Sequence, residues 1–139
     1  MKRTVFSKMA QDFFDGKTDA ETFYNRFMDD WIANSSKPDD VRVPVPYIEQ
    51  SLSLAVDSYC PVEFRDDMQP YDYDEEQLKR VVGIYLQTDD VDEAYRMMRR
   101  QGRYPFFYED ACRSYKEREN TMGKYGTALD IAQYVNLKS

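Results

Sequence analysis

The sequence predicts an all-α protein, a small helical bundle of about four helices with a helical C-terminal extension. Apolar residues recur at helical spacing along most of its 139 residues. A helix-start pair, Asp74 with Gln77, precedes one of these runs. Pro44 and Pro46 flank Val45 and keep this β-branched stretch out of a central strand. A chain of this length suits one core, so we expect a single domain over 1–139, with the bundle in 5–87 and the extension in 88–139.

The first two helices are expected to form an antiparallel hairpin. Gly16 ends the first helix, and Thr18-Asp19-Ala20-Glu21 is predicted to be a capping box that opens the second. The apolar face of the first helix consists of Val5, Phe6, Met9, Ala10, Phe13 and Phe14. That of the second consists of Ala20, Phe23, Tyr24, Phe27, Met28, Trp31 and Ile32.

The third and fourth helices enclose an acidic loop. The third is predicted to begin near Pro46, a favourable first-turn residue, and to end before Pro61. Its buried stripe consists of Ile48, Leu52, Ala55, Val56 and Tyr59. The Asp74 and Gln77 pair opens the fourth helix. Its apolar face consists of Leu78, Val81, Val82, Tyr85 and Leu86.

The C-terminal extension is predicted to hold three more helices. Asp89 or Asp90 caps a fifth helix that runs through Val91, Ala94, Tyr95 and Met98 to Gly102. An aromatic loop, Tyr104–Tyr108, either folds its rings inward or forms an exposed contact patch. A sixth helix carries Ala111, Cys112 and Tyr115, and a last one carries Leu129, Ile131, Ala132 and Val135.

Composition excludes several classes of enzyme. The chain has no histidine, which removes the Ser-His-Asp and Cys-His catalytic arrangements and the histidine-zinc sites. An enzyme would have to work with carboxylate, lysine, tyrosine or cysteine side chains alone. We expect a binding protein with no enzymatic activity and no cofactor. Cys60 and Cys112 form no CxxC pair and are expected to be free thiols, although a bridge between them remains open. No apolar run of about 20 residues and no leader pattern is found, which indicates a cytoplasmic protein without membrane contact.

Negative charge is concentrated between residues 57 and 76, a stretch that we call the acidic segment. It contains eight acidic residues and one basic residue, Arg65, so its net charge of −7 equals that of the whole chain. Such a surface attracts a basic partner and repels nucleic acid. Tyr71 and Tyr73 lie among the acids and are predicted to be exposed interface anchors.

Two other interpretations of the acidic segment remain open. It could be an ordinary solvated loop and helix start, since Glu75 and Glu76 suit the dipole of the fourth helix. It could also bind a hard cation through Asp72, Asp74 and Glu75 or Glu76, although it lacks the glycine and distal glutamate of a calcium loop. The basic residues between 96 and 124 are interpreted as exposed arginines and lysines that pair with acids of the same chain.

Several segments resemble the colicin D-type immunity proteins, a family that includes immunity proteins of contact-dependent growth inhibition systems. The resemblance covers roughly residues 5–87. It depends on the hairpin Phe13-Phe14-Asp15-Gly16-Lys17-Thr18-Asp19-Ala20-Glu21-Thr22-Phe23, Trp31, Val56-Asp57-Ser58-Tyr59, the acidic loop and Asp74-Glu75-Glu76-Gln77-Leu78. The long loop from Cys60 to Tyr73 and residues 88–139 depart from the pattern.

The resemblance implies a helical bundle that binds and neutralises a cognate toxin, often a tRNA-cleaving ribonuclease, through an acidic face that replaces the RNA backbone. Together with the charge pattern it predicts a toxin-binding surface formed by Asp57, Tyr59, Glu63, Asp66, Asp67, Tyr71, Asp72, Tyr73, Asp74, Glu75 and Glu76. A regulatory or adaptor domain and a carboxylate-only metal-dependent hydrolase are the competing hypotheses.

Overall fold

A computed structural model describes residues 2–69 and 72–101, and these residues form a small all-α bundle. Five α-helices follow in order: α1 (Val5–Phe14), α2 (Ala20–Ser35), α3 (Tyr47–Asp57), α4 (Glu75–Gln87) and α5 (Val91–Gln101). A 3₁₀-helix, Val62–Asp67, separates α3 from α4. The described ranges contain no strand, only one isolated parallel bridge, between Tyr59 and Tyr73.

The first four helices form a closed ring around one core. α1 packs against α2 and α4, and α3 packs against the same two helices from the other side. Aromatic rings fill the interface between α1 and α2: Phe13 stacks on Phe23 with centroids 4.7 Å apart, and Phe6 meets the edge of Trp31 at 4.9 Å. This confirms the predicted hairpin. The predicted apolar face of α2 is wrong at its last residue, Ile32, which is 58% exposed.

The helix boundaries largely follow the predicted signals. Gly16 turns the chain after α1 with a φ of 80°, a conformation that L side chains rarely adopt. The N-cap of α2 is Asp19, which accepts the Thr22 N–H at 2.7 Å, so the cap predicted at Thr18 is wrong by one residue. The Asp74 and Gln77 capping box is confirmed, with both reciprocal hydrogen bonds at 2.8 Å.

α5 shares the core of the four-helix ring. It packs on α4 and α3, and its Ala94 and Met98 are fully buried among the residues of that core. The Asp90 carboxylate accepts the Asp92 N–H at 3.0 Å, which confirms a cap at this helix start. The first turns of the predicted extension therefore belong to the bundle. The predicted aromatic loop, the later helices and Cys112 lie outside the described residues.

The N-terminal segment ties three helices together. The Arg3 guanidinium donates to the carbonyl oxygens of Tyr85 at 2.7 Å and Thr88 at 2.8 Å, at the C-terminal end of α4. The side chain of Glu49 on α3 accepts the Thr4 N–H at 2.7 Å and the Ser7 hydroxyl at 2.6 Å, at the N-terminal end of α1. These contacts hold the start of α1 against α3 and against the C-terminal end of α4.

Gly83 permits a close approach between α1 and α4. The ring of Phe14 lies over it, and a Cβ atom at this position would stand 2.6 Å from a ring carbon. Any side chain at residue 83 would therefore displace Phe14. Within residues 2–69 and 72–101, no helix has both the length and the apolar content that crossing a bilayer requires.

Candidate functional site

The middle of the acidic segment is a six-residue 3₁₀-helix, Val62–Asp67, which we call the acidic turn. Pro61 precedes it with an extended ψ of 150°, and Met68 follows it in extended conformation. Its carboxylates Glu63, Asp66 and Asp67 are all exposed. A 3₁₀-helix has three residues per turn, so Glu63 and Asp66 lie one above the other on the same side.

The isolated bridge between Tyr59 and Tyr73 closes the base of the acidic turn. The Cys60 N–H donates to the Tyr73 carbonyl at 2.8 Å, and the Tyr73 N–H donates to the Ser58 carbonyl at the same distance. Residues on both sides of the acidic loop are therefore brought together.

The bridge also turns both tyrosines inward, which corrects their predicted role. Tyr59 is 3% exposed and Tyr73 is 2% exposed, and both belong to the hydrophobic core. The Tyr59 ring lies 5.3 Å from that of Tyr24 on α2. The prediction that Tyr73 is an exposed anchor is wrong, and Tyr59 likewise offers no accessible surface for a partner. Tyr71 lies outside the described residues.

Glu21 on α2 holds the acidic turn from below. Its Oε1 atom accepts the Tyr59 hydroxyl at 2.8 Å and the Val62 N–H at 2.7 Å. Glu21 thereby satisfies a free N–H group in the first turn of the 3₁₀-helix, where a carboxylate is favoured. The local sequence predicted a different role for Glu21, as part of a capping box at the start of α2. Its contacts to residues 38 and 41 positions away could not be inferred from a local pattern.

Arg65 supports the turn through its hydrogen bonds. Its Nε atom donates to the Cys60 carbonyl at 2.7 Å, and its guanidinium donates to the Tyr59 hydroxyl at 3.2 Å and lies 5.4 Å from that ring's centroid. The Cys60 thiol is buried and donates to the Phe64 carbonyl at 3.4 Å. The lone base of the acidic segment is thus directed toward its own backbone.

Burial raises the pKa of three groups near the acidic turn, and nearby carboxylates raise it further. Burial raises the pKa of Tyr59, and its hydrogen bond to Glu21 raises it further. Burial, followed by the nearby charges of Asp57 and Glu21, raises the pKa of Tyr24. The Cys60 thiol has a raised pKa because of burial first and the charge of Asp72 second. Carboxylates from different stretches of the chain therefore act on one small group of residues.

The remaining predicted site residues divide by local role. Asp57, Glu75 and Glu76 are exposed, whereas Asp72 and Asp74 are half-buried. Asp72 accepts the Gln69 N–H at 2.9 Å, and Asp74 caps α4. Glu76 lies 3.5 Å from Arg80, an exposed pair of the kind that contributes little to stability. Six of the eight acidic residues in the segment face solvent: Asp57, Glu63, Asp66, Asp67, Glu75 and Glu76.

Two apolar side chains project from the acidic turn, and they are the functional candidates that the predicted site omitted. Phe64 is 54% exposed and Val62 is 57% exposed. Phe64 is thus a half-exposed ring next to the exposed carboxylates of the turn, an arrangement that suits an interface anchor. The alternation of Phe64 with acids was visible in the sequence. The tyrosines drew the prediction away from it because tyrosine is the commoner anchor.

Another exposed apolar surface lies on α3. Tyr47 is 78% exposed and Leu54 is 67% exposed. They line an open hollow of about 540 Å³ together with Gln50, Ser51 and residues 89–92. A neighbouring hollow of about 580 Å³ shares Gln50 and Leu54 and extends to Trp31 and Val43. Nothing in the described part of the chain indicates what covers this face.

The described residues contain no group of three or more Cys, Asp or Glu side chains placed to hold a metal ion. No family model, curated protein or solved structure matches this chain. Interpretation of the acidic turn therefore depends on its own geometry and charge.

Proposed function

We propose that this chain is an immunity protein of the colicin D type, which binds and neutralises a cognate bacterial toxin in the cytoplasm. On this proposal the toxin is a basic, tRNA-cleaving ribonuclease, and the acidic turn covers its RNA-binding cleft. The chain acts by occlusion and not as an enzyme. The observation that carries the proposal is an exposed acidic turn whose backbone is held by Glu21, Arg65 and the Tyr59–Tyr73 bridge.

Charge supports a basic protein as the partner. The outward carboxylates would repel nucleic acid and attract a cationic cleft, which speeds diffusional encounter. A cleft that binds RNA is lined with cations placed for phosphates. Carboxylates at comparable positions are suited to occupy those places without offering a bond that the enzyme can cleave.

Rigidity supports tight binding. A loop that is ordered only on binding loses affinity to the cost of ordering it. Here Val62 N–H and the Cys60 carbonyl are already bonded to Glu21 and Arg65. The backbone of the turn is therefore held in place before the partner arrives.

The test uses charge reversal with a matched control. In the D66K/D67K variant, two exposed acids of the turn are reversed, whereas in D29K/D30K the same change of net charge is made on two exposed acids of α2. The partner tested is the C-terminal domain of the product of the gene immediately upstream, which on this proposal is the toxin. We expect D66K/D67K to slow association at least tenfold at low salt and to lose protection of tRNA, while D29K/D30K stays within about threefold of wild type.

The control distinguishes a local contact from a general charge effect. Equal losses in the two variants would mean that only net charge matters. Full protection by D66K/D67K would mean that the acidic turn is not the contact, and an adaptor role with another partner would then be favoured.

A further inference from the structure

We propose that Phe64 occupies the place of an unstacked nucleobase in the ribonuclease cleft, while the carboxylates near it in the acidic turn occupy places of phosphates. This inference rests on the proposed function and adds the chemistry by which the cleft recognises the turn. It makes the acidic turn a mimic of a single-stranded RNA segment in both of its chemical parts.

The geometry of the turn places a ring among charges. In a 3₁₀-helix, residues three apart lie on the same side, so Phe64 stands over Asp67 while Glu63 stands over Asp66. The exposed ring therefore has the Asp67 carboxylate in its own column and the Glu63 and Asp66 carboxylates in the neighbouring column. This matches a nucleotide, in which a flat apolar group lies beside anionic oxygens.

The backbone at the ring is fixed on both sides. The Phe64 carbonyl accepts from the buried Cys60 thiol at 3.4 Å, and the N–H of Val62 is bound to Glu21 at 2.7 Å. Only the two side-chain dihedral angles of Phe64 remain to be ordered on binding. An aromatic side chain with few rotatable bonds on a fixed backbone is typical of an interface hot spot.

A ribonuclease cleft offers one kind of binding place for the ring and another for the carboxylates. Proteins that act on single-stranded RNA bind the splayed bases by stacking and bind the backbone with cations. Base stacking tolerates different rings because it uses the π-face. A phenyl ring is therefore suited to a base position, and the neighbouring carboxylates are suited to the cationic positions.

The experiment separates the two parts by competition. Binding of the full chain to a catalytically inactive form of the toxin domain is measured for wild type, F64A, F64L and F64W. The matched control is Y47A, which removes an even more exposed ring from the outer face of α3. Competitors are free nucleosides, which carry a base without a phosphate, and inorganic phosphate, which carries the charge without a base.

We expect F64A to dissociate at least tenfold faster, F64L to lie between F64A and wild type, and F64W and Y47A to remain within threefold of wild type. Millimolar nucleosides should weaken wild-type binding and leave F64A unaffected, while phosphate should weaken both. Circular dichroism of each variant verifies the fold.

The outcomes distinguish this inference from the proposed function. If the wild-type chain fails to bind the toxin domain, the proposed function is wrong. If wild type binds and F64A binds equally well, or if nucleosides compete equally with both, the base-site inference is overturned and the proposed function stands.

Discussion

Two glutamates on neighbouring helices perform similar tasks in very different surroundings. Glu49 on α3 is fully buried, and its carboxylate accepts the N–H and hydroxyl groups of Thr4 and Ser7 at the start of α1. Glu21 on α2 is half-buried, and its carboxylate accepts the Tyr59 hydroxyl and the Val62 N–H at the start of the acidic turn. Each places an anion at the N-terminal end of a helix that lies elsewhere in the sequence.

The two glutamates differ in whether water can replace them as hydrogen-bond acceptors. α1 has no acidic residue in its first turn, so Glu49 supplies the anion favoured there by the helix dipole. Burial of a carboxylate is costly unless its hydrogen bonds are complete, and removing it would leave buried donors without a partner. At Glu21, solvent can hydrate the exposed N–H of Val62. We conclude that Glu49 serves stability, whereas Glu21 serves the shape of the acidic turn.

The largest expected effect follows from removing the buried glutamate. We expect E49A to lower the free energy of unfolding by about 3 kcal/mol, because the Ser7 hydroxyl and the N–H groups of α1 lose their acceptor in the interior. Urea unfolding followed by circular dichroism measures the change. The matched variant E63A removes an exposed glutamate and should stay within about 0.5 kcal/mol of wild type. Equal stability of E49A and E63A would contradict the assigned role of Glu49.

The second expected effect is a loss of stability at alkaline pH. Burial raises the pKa of Tyr59, Tyr73 and Tyr85 in the folded chain. In the unfolded chain these phenols ionise near pH 10, so stability is fully present below about pH 10 and falls as pH rises above it. Each tyrosine contributes about 1.4 kcal/mol of loss per pH unit.

The variant Y59F assigns one part of this slope to the acidic turn. We expect the slope of unfolding free energy between about pH 10.5 and 11.5 to become shallower by about 1.4 kcal/mol per pH unit, because one ionising group is removed. Urea titrations at several pH values measure it. An unchanged slope would mean that the Tyr59 phenol titrates normally and is not held by burial and Glu21.

The smallest expected effect on stability comes from the glutamate beneath the turn. We expect E21A to cost about 1 kcal/mol, since Val62 N–H can be hydrated and Arg65 still reaches the Tyr59 hydroxyl. Hydrogen exchange at the Val62 amide should nevertheless become at least tenfold faster. E21Q keeps the accepting oxygen and should exchange nearly as slowly as wild type. Unchanged exchange in E21A would show that the turn is held by other contacts.

Much of the fold could be predicted because its signals are local. The Asp74 and Gln77 box, the stop at Gly16 and the helical stripes depend on residues within a few positions of one another. The buried Glu49 could not be predicted, because it follows Ile48 as an ordinary polar residue and its partners lie at the start of α1. Ile32 continues the helical spacing of the apolar residues of α2 and is nevertheless exposed, because spacing alone does not specify how far a neighbouring element covers a helix.

The sequence predicted the negative charge of the candidate site but not which aromatic side chains are exposed there. The concentration of acids was visible, and most of them are exposed. Which rings accompany them depends on a bridge between residues 59 and 73, and that pairing has no signature in the sequence. It buries Tyr59 and Tyr73 and leaves Phe64 outside. Glu21 was likewise missed, since its partners Tyr59 and Val62 lie in another segment.

The hydrogen bonds that hold the acidic turn do not involve its outward side chains. Glu21 binds the backbone N–H of residue 62, Arg65 binds the backbone oxygen of residue 60, and the bridge is made of backbone atoms alone. None of these bonds uses the side chains at positions 62, 63, 64, 66 or 67. On the proposed function, substitutions there would alter which protein is recognised without disturbing the scaffold. Grafting a different outward sequence onto the same framework would then give new specificities.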